Sequence, residues 1–319
     1  MSTVPMDARR GRADRAGRVF AALATSSGAL ILAVLAAVAA FLLVEAWPAI
    51  SATPDELAEI SWMPDDGSLL GYIGPLAFGT VLAAVLALAM AVPVAVGIAL
   101  FISHYAPRRL ASALGYLVDL LAAIPSVVYG LWGGLWLAPR LQPVWEWLAD
   151  TLGFIPLFAG PAATPPRVMM TVGVVLAVMI LPIITAVARE VFLTTPRLHE
   201  EAALALGATR WEMVRMAVLP YGRSGVVSAA MLGLGRALGE TMAVLMILAP
   251  GLTYSVALLM AGRQQTIAAN IALQFPEAGP LGVSALVATG LALFVITLAV
   301  NMTARWVVSR RAAFSGSAG

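Results

Sequence analysis

The sequence predicts an all-α, polytopic membrane protein with about six transmembrane helices. Of its 319 residues, 61% are hydrophobic and only 11% are charged. The apolar residues fall in runs of roughly 20, the length that an α-helix needs to cross the hydrocarbon core of a bilayer. Arginines concentrate in alternate connecting segments, as they do in multi-pass proteins. This composition excludes a soluble domain, and the run lengths favour helices over strands.

Six apolar stretches form the predicted spans. The first is too long for the core of a signal peptide, which has roughly 7 to 15 apolar residues, so it is interpreted as a retained anchor. The third contains Asp119 and Pro125 and could be two pieces joined at the proline. The predicted spans are residues 19–44, 73–102, 114–137, 168–188, 224–249 and 281–306.

The distribution of arginine predicts the orientation and the domain organisation. Residues 1–18 form an Arg-rich tail, whereas the segment after the first span is acidic and holds no basic residue. Because positive loops stay in the cytoplasm, both termini and the loop at 189–223 are predicted to be cytoplasmic. The predicted organisation is an N-terminal cytoplasmic tail 1–18, a first helix with its acidic outer segment 19–70, a permeation core 71–306 and a C-terminal cytoplasmic tail 307–319.

Two missing residue types exclude several kinds of chemistry. The chain has no cysteine, so it has no disulfide, no thiol nucleophile and no sulfur metal site. All 19 basic residues are arginine, and without lysine a phosphate-cradling ATPase loop cannot form. If ATP drives this protein, another chain hydrolyses it. His104 and His199 lie far apart without metal-ligand spacing and are interpreted as solvated, so no metal site is predicted. The sequence shows no Ser-His-Asp or paired-carboxylate arrangement, so no enzyme active site or cofactor is predicted. The net charge of +2 does not indicate a nucleic-acid partner.

The polar loop at 189–223 is predicted to be a helix, a glycine corner and a second short helix. Thr195 followed by Pro196 is a good helix start, because the hydroxyl caps free amides and proline suits the first helical position. Gly207 can adopt the left-handed conformation that ends a helix. Thr209 and Glu212 form a capping box for the second helix. Trp211, Val214 and Val218 are predicted to share one apolar stripe of that helix. The alternative interpretation is an ordinary amphipathic linker.

The fifth predicted span carries Arg236 and Glu240, four residues apart and so on one helix face. A charge at this depth costs several kcal/mol or more, so such side chains face a partner or a wet cavity. One interpretation is a self-neutralising pair that fixes helix packing. The other is an anion site in a pore, where the arginine holds an oxyanion by two hydrogen bonds and the glutamate limits the positive charge. Gly235 and Gly239 would let another helix approach closely.

Several further side chains have predicted structural roles. Asp119 is expected to snorkel or to pair with Arg108 or Arg109. Four tryptophans are expected to form an interfacial belt on the outer side, namely Trp132, Trp136, Trp145 and Trp147.

The loop at 189–223 resembles the signature of bacterial ABC importer permeases. The matching residues are Glu201, Ala202, Ala203, Gly207, Leu219 and Pro220, at the expected spacing. Ala217 departs from the pattern, because the family usually has isoleucine there. The resemblance implies that these residues dock in a groove of a separate ATPase and carry its motion to the membrane.

A narrower resemblance, over residues 74 to 306, is to the phosphate-specific branch of these permeases and to its C-type (PstC) subunit. The stretches that carry it are Phe78-Gly79-Thr80, Gly97-Ile98-Ala99-Leu100-Phe101, Tyr105-Ala106-Pro107, Ala123-Ile124-Pro125-Ser126-Val127-Val128-Tyr129-Gly130 and Gly235-Arg236-Ala237-Leu238-Gly239-Glu240-Thr241-Met242-Ala243-Val244. Thr241 and Met242 after the glutamate favour this branch over sulfate and molybdate permeases.

This narrower resemblance implies a type I ABC importer permease fold (MetI-like) in the bacterial cell membrane. It implies a phosphate pathway that includes Arg236, Glu240 and Thr241. The implied partners, besides membrane lipid, are a second permease subunit (PstA type), two ATPase subunits (PstB type) and an external phosphate-binding protein (PstS type). The open alternatives are a permease for sulfate or molybdate, an ion-coupled secondary transporter and a membrane scaffold or sensor without flux.

Overall fold

A computed structural model describes residues 6–315, which fold as helices and connecting segments with no β-strand in that range. Short π-helical turns continue α3, α5 and α9 at their C-terminal ends. The helices are α1 Met6–Ser51, α2 Pro54–Ala58, α3 Leu69–Leu100, α4 Arg108–Ala122, α5 Ser126–Leu131, α6 Ala138–Leu152, α7 Met169–Leu193, α8 Arg197–Ala205, α9 Arg210–Met213, α10 Leu219–Leu238, α11 Met242–Ile247, α12 Ile267–Gln274 and α13 Pro280–Ser315.

Four described helices are long and apolar enough to cross a membrane by themselves. They confirm the first, second, fourth and sixth predicted spans and cover Val19–Ser51, Leu69–Tyr105, Met169–Leu193 and Pro280–Ala304. A fifth candidate is the pair Arg108–Ala122 and Ser126–Leu152, which is bent by 89° at its break. The break falls at residues 123–125, so the prediction of two pieces joined at Pro125 is confirmed. Asp119 of α4 is exposed and makes no ion pair with Arg108 or Arg109.

The prediction of one continuous fifth span at 224–249 is wrong. Helix α10 begins earlier, at Leu219, and ends at Leu238, while α11 begins only at Met242. Gly239 follows the last helical residue with φ −93° and ψ 3°, which takes the chain off the helical path. Apolar residues continue on both sides of this break, which is why hydropathy alone did not reveal it.

The core lies between α3 and α7, which pack closely because α3 presents a ladder of small side chains. Five buried alanines recur every four residues on one face of α3, namely Ala83, Ala87, Ala91, Ala95 and Ala99. They pack in one cluster with large buried side chains of α7 such as Leu176, Ile180 and Phe192. Small residues let helix backbones approach, which is the main packing device inside a membrane.

Helix α1 stands at the edge of the molecule and packs mainly against α13. Its most apolar stretch has no buried side chain, and Leu30, Ile31 and Leu32 are all more than 60% exposed. An exposed surface of this kind suits contact with lipid tails.

An irregular segment between α11 and α12, which the sequence did not predict, packs against the N-terminal third of α3. The Thr80 hydroxyl accepts a hydrogen bond from the Ile267 amide at 2.9 Å and donates to the Leu76 carbonyl at 2.7 Å. A Cβ atom added to Gly79 would lie 2.2 Å from the Gln265 carbonyl oxygen. Glycine at 79 therefore permits the segment to contact the helix backbone.

Trp145, which we expected in an interfacial belt, is instead buried at 4% exposure. Its indole nitrogen donates a hydrogen bond to the Thr171 hydroxyl at 3.0 Å, and this joins α6 to α7. Trp136 and Trp147 are exposed, as an interfacial position requires.

Candidate translocation site and coupling loop

The break between α10 and α11 is closed by the side chain of Glu240. Its carboxylate oxygen accepts a hydrogen bond from the Ala243 amide at 3.1 Å, in the first turn of α11. Glu240 is only 7% exposed. The Thr241 hydroxyl donates to the Gly239 carbonyl at 3.3 Å. The first amides of a helix have no partner within it, so a carboxylate here stabilises the new helix start.

Arg236 lies in the last turn of α10, half-buried, and forms no ion pair with Glu240. The interpretation of the two as a self-neutralising pair on one helix face is therefore wrong. The helix ends between them, and the carboxylate of Glu240 turns to the Ala243 amide. No hydrogen bond to the Arg236 guanidinium occurs within the described part of the chain, which leaves its five donors available to a ligand.

Tyr129 lies within Coulomb range of Arg236, and the sequence did not predict this relationship. Its hydroxyl donates a hydrogen bond to the Leu121 carbonyl at 2.9 Å and lies close enough to the Arg236 guanidinium for a Coulomb interaction. The adjoining Gly130 allows α5 to approach α11, because a Cβ there would lie 2.9 Å from the Ala243 Cα. The signal in the sequence was the Pro125-to-Gly130 stretch, to which no role in the pathway was assigned.

The face of α10 that carries Arg236 is not covered by this chain. A Cβ added to Gly235 would meet nothing within 4 Å, and one added to Gly239 would meet only the Gly235 carbonyl at 3.7 Å. Leu232, one turn before Arg236, is 57% exposed. The opposite face is packed, since a Cβ on Gly233 would lie 2.8 Å from Ile184. The open face with its small residues could accept a helix of another chain.

The loop at 189–223, the candidate coupling loop, has the predicted form of a helix, a glycine corner and a second short helix. Gly207 has φ +86°, the left-handed conformation expected of it. The Gly207 amide donates to the Leu204 carbonyl and the Ala208 amide to the Ala203 carbonyl, which is a Schellman ending of α8.

The capping box of Thr209 and Glu212 is confirmed. The Thr209 amide and hydroxyl donate to the Glu212 carboxylate at 2.7 and 2.8 Å, while the Glu212 amide donates to the Thr209 hydroxyl at 3.3 Å. The hydrogen bonds from the Thr209 backbone and side chain lower the pKa of Glu212 below its ordinary value. The start of α9 is therefore fixed by residues three apart in sequence.

Two predictions about the loop are wrong. Pro196, not Thr195, occupies the cap position of α8, and the buried Thr195 hydroxyl has no hydrogen-bond partner within residues 6–315. Trp211 does not share the buried stripe of Val214 and Val218, because it is 56% exposed while both valines are fully buried. A π-helical turn at Val214–Val218 interrupts the regular spacing on which that stripe was predicted.

The motif residues of the loop divide into an exposed set and a packed set. Glu201, Ala202 and Gly207 are exposed, and so is Leu206 beside them, at 86%. Ala203 is buried, Leu219 is half-buried and Pro220 is exposed. Ala203 packs in the main core cluster with Val214 and Val218. The loop is thus anchored on the core along one side and presents an apolar, uncovered surface on the other.

His104 is not solvated as predicted. It lies in the π-helical turn after α3, its side chain is 8% exposed, and its Nε2 lies 3.5 Å from the Glu200 carboxylate of α8. Its Nδ1 lies 2.7 Å from the Ser103 hydroxyl. His199, in contrast, is exposed as predicted. Over residues 6–315, the His, Asp and Glu side chains form no group of three that could hold a metal ion.

These features define the class of the protein. A multi-pass helical chain has a half-buried arginine on an uncovered helix face and a Glu-Ala-Ala helix outside its spans, which together are features of a membrane transport permease. The family model of the binding-protein-dependent transport system inner membrane component matches residues 91–313.

Curated relatives and a solved structure agree with this class. The phosphate transport system permease protein PstC 2 of Mycobacterium tuberculosis is 47% identical over 307 residues, covering 95% of this chain and 94% of that protein. The phosphate transport system permease protein PstC of Mesorhizobium japonicum is 39% identical over 307 residues, covering 94% and 92%. A bacterial ABC transporter involved in the import of the acidic polysaccharide alginate superposes with a TM-score of 0.53 at 17% identity, covering 74% of this chain and 78% of that one.

The chain belongs to the family of binding-protein-dependent transport system inner membrane components. The resemblance to PstC-type permeases that the sequence motifs indicated is confirmed, as is the all-α ABC importer permease fold (MetI-like). The protein is a multi-pass membrane protein and a transporter permease subunit.

Proposed function

We propose that this chain is a transmembrane permease subunit of an ATP-driven phosphate importer and forms half of its translocation pathway. The observation that carries the proposal is the 47% identity, over 95% of the chain, to a phosphate transport system permease protein. The half-buried Arg236 on an uncovered face of α10 supports it independently, because a planar guanidinium suits a tetrahedral oxyanion.

In this proposal Arg236 contacts phosphate in transit, and Glu240 and Thr241 shape the break beside it. The carboxylate of Glu240 is held by the Ala243 amide, so its negative charge stays near the pathway at a fixed place. That charge limits the positive potential of the empty site, which lets the anion leave again. Tyr129 of α5 lies within Coulomb range of the guanidinium.

The uncovered face of α10 would be completed by a second permease subunit of the PstA type. The exposed surface around Glu201, Ala202 and Leu206 would dock on one of two ATPase subunits of the PstB type, because this chain lacks the lysine of an ATPase loop. An external phosphate-binding protein of the PstS type would deliver the anion. With the arginine-rich segments inside, both termini and the coupling loop are cytoplasmic.

Reconstitution in liposomes tests the function. The chain is purified with the subunits that accompany it, and uptake of radiolabelled phosphate is measured with and without ATP and with excess unlabelled sulfate or molybdate. We expect ATP-dependent uptake of phosphate that excess sulfate or molybdate does not change. Uptake without ATP would overturn the importer in favour of a secondary transporter, and competition by sulfate or molybdate would overturn the assignment of phosphate.

A further inference from the structure

A groove of about 530 Å³ lies away from the Arg236 site, where four segments meet near the coupling loop. One wall is a single face of α4, on which Arg108, Ser112, Gly115 and Asp119 recur every three or four residues. The end of α3, the end of α7 and the first residue of α8, Arg197, form the rest. No residue of α10 or α11 lines it, so the groove is separate from the proposed pathway.

Positively and negatively charged side chains lie at different positions along the groove. Arg108 and Arg197 make no ion pair or hydrogen bond with the rest of residues 6–315. Asp119 lies 11 residues further along α4, which places it about 16 Å from Arg108 along the helix axis. This separation exceeds the screening length of about 8 Å at physiological salt. The end of the groove near the coupling loop, its mouth, therefore carries two arginines that have no ion-pair partner in the described range.

The third arginine of the groove is already neutralised. Arg189 donates two hydrogen bonds to the Glu190 carboxylate, at 2.7 Å from Nη2 and 3.2 Å from Nε. Its Nη1 lies against Gly115, where a Cβ would come within 2.3 Å of it. The Arg189–Glu190 pair forms a neutral part of the groove lining, so the free donors are those at the mouth.

The donors at the mouth are Arg108, Arg197 and the hydroxyl of Ser112, one turn along α4 from Arg108. The Ser112 hydroxyl has no hydrogen-bond partner in the described range. Two guanidinium forks and a hydroxyl match the several acceptor oxygens of a phosphate group. Basic pockets between helices at the cytoplasmic side of a membrane bind phosphate-bearing headgroups by this chemistry.

We propose that the mouth of this groove, at Arg108, Ser112 and Arg197, binds a phosphate group. The group belongs either to the headgroup of an anionic lipid or to free inorganic phosphate, since both offer the same oxygens. The site takes its ligand beside α8, so occupancy would bear directly on the first residue of the coupling helix.

Binding to variants of the full-length chain, purified in detergent with the subunits that remain bound, tests this site. Arg108→Gln removes one charge of the mouth, and Arg109→Gln is the matched control because Arg109 is exposed and lies outside the groove. In one arm, native mass spectrometry counts bound phosphatidylglycerol against phosphatidylcholine. In the other, equilibrium dialysis measures radiolabelled inorganic phosphate, with Arg236→Gln in every sample to remove the pathway site.

We expect Arg108→Gln to weaken binding about tenfold in one arm, because it removes a charge-assisted hydrogen bond. The control Arg109→Gln should change binding by less than about twofold. A loss with phosphatidylglycerol identifies a lipid, and a loss with inorganic phosphate identifies the free anion. If Arg108→Gln does not fold, as judged by circular dichroism, Ser112→Ala and Arg197→Gln take its place. Equal binding by wild type and the groove variants in both arms, or equal losses with Arg109→Gln, would overturn the site.

Discussion

The Nε2 of His104 and the carboxylate of Glu200 lie 3.5 Å apart and join the end of α3 to the coupling helix α8. His104 is held from its other side by the Ser103 hydroxyl. Because α3 packs along the whole core against α7, a shift of α8 would reach the membrane helices through this contact as well as through the chain. Such a contact suits a permease in which a movement of α8 must be transmitted to the membrane helices.

Removal of this contact is expected to loosen the coupling of ATP hydrolysis to transport. His104→Ala and Glu200→Ala should each lower the phosphate taken up per ATP hydrolysed, and the double variant should be no worse than either one. An ion contact near the protein surface contributes about 0.2–1 kcal/mol, which sets the size of the effect. His199→Ala, an exposed histidine of the same helix, is the control. If the two losses multiply in the double variant, the contact transmits nothing.

Glu240 has two separable roles, a cap for α11 and a charge beside the pathway. Glu240→Gln keeps an oxygen that can accept from the Ala243 amide but removes the charge. Glu240→Ala removes both and leaves a buried amide unpaired, at a cost of about 1–3 kcal/mol. We expect the thermal unfolding midpoint to fall for alanine and to stay near wild type for glutamine, while phosphate uptake falls for both. Equal unfolding midpoints for the alanine variant and wild type would show that the cap is unimportant.

The corner at Gly207 is expected to need a residue that tolerates positive φ. Gly207→Leu places a side chain at φ +86°, which costs about 1–2 kcal/mol, whereas asparagine visits this region more readily. Steric crowding does not limit this substitution, because a Cβ atom at position 207 would meet nothing within 4 Å. For Gly207→Leu we expect ATP hydrolysis to continue without phosphate uptake. For Gly207→Asn we expect partial coupling of hydrolysis to uptake. Fully coupled transport by Gly207→Leu would reduce the corner to a linker.

Gly79 and Gly97 lie on the same helix and make a matched pair for close packing. A Cβ at Gly79 would meet the Gln265 carbonyl at 2.2 Å, whereas one at Gly97 would meet nothing within 4 Å. Gly79→Ala should lower stability by about 1–3 kcal/mol, the range for overpacking. Gly97→Ala should be neutral or slightly stabilising, because alanine favours helix. Thermal unfolding of the two purified variants compares them, and equal midpoints would contradict the contact between α3 and the segment before α12.

Features set by neighbouring residues could be predicted from the sequence. The turn at Gly207 and the capping box of Thr209 and Glu212 depend on residues within four positions, and both formed as expected. The apolar runs located four spans, and Pro125 located the bend in the third predicted span. The roles predicted for the motif residues of the site and the loop stay predictions.

Features set by distant contacts could not be predicted. Tyr129 comes within Coulomb range of Arg236 where α5 packs on α11, which lies more than 100 residues later in the chain. His104 is shielded from solvent because α8 packs near the end of α3, where Glu200 contacts the histidine. The break after Leu238 was hidden by an apolar run that continues on both sides of it.

The account rests on Arg236 as the residue that contacts phosphate. Its most direct test is ATP-driven uptake of radiolabelled phosphate into liposomes by Arg236→Gln, with Arg109→Gln as the control for loss of an exposed arginine. We expect uptake to fall at least tenfold for Arg236→Gln, the scale of a lost charge-assisted hydrogen bond in a desolvated site, with the subunits still assembled. Arg109→Gln should transport as wild type does. Uptake at the wild-type rate by an assembled Arg236→Gln complex would contradict the account.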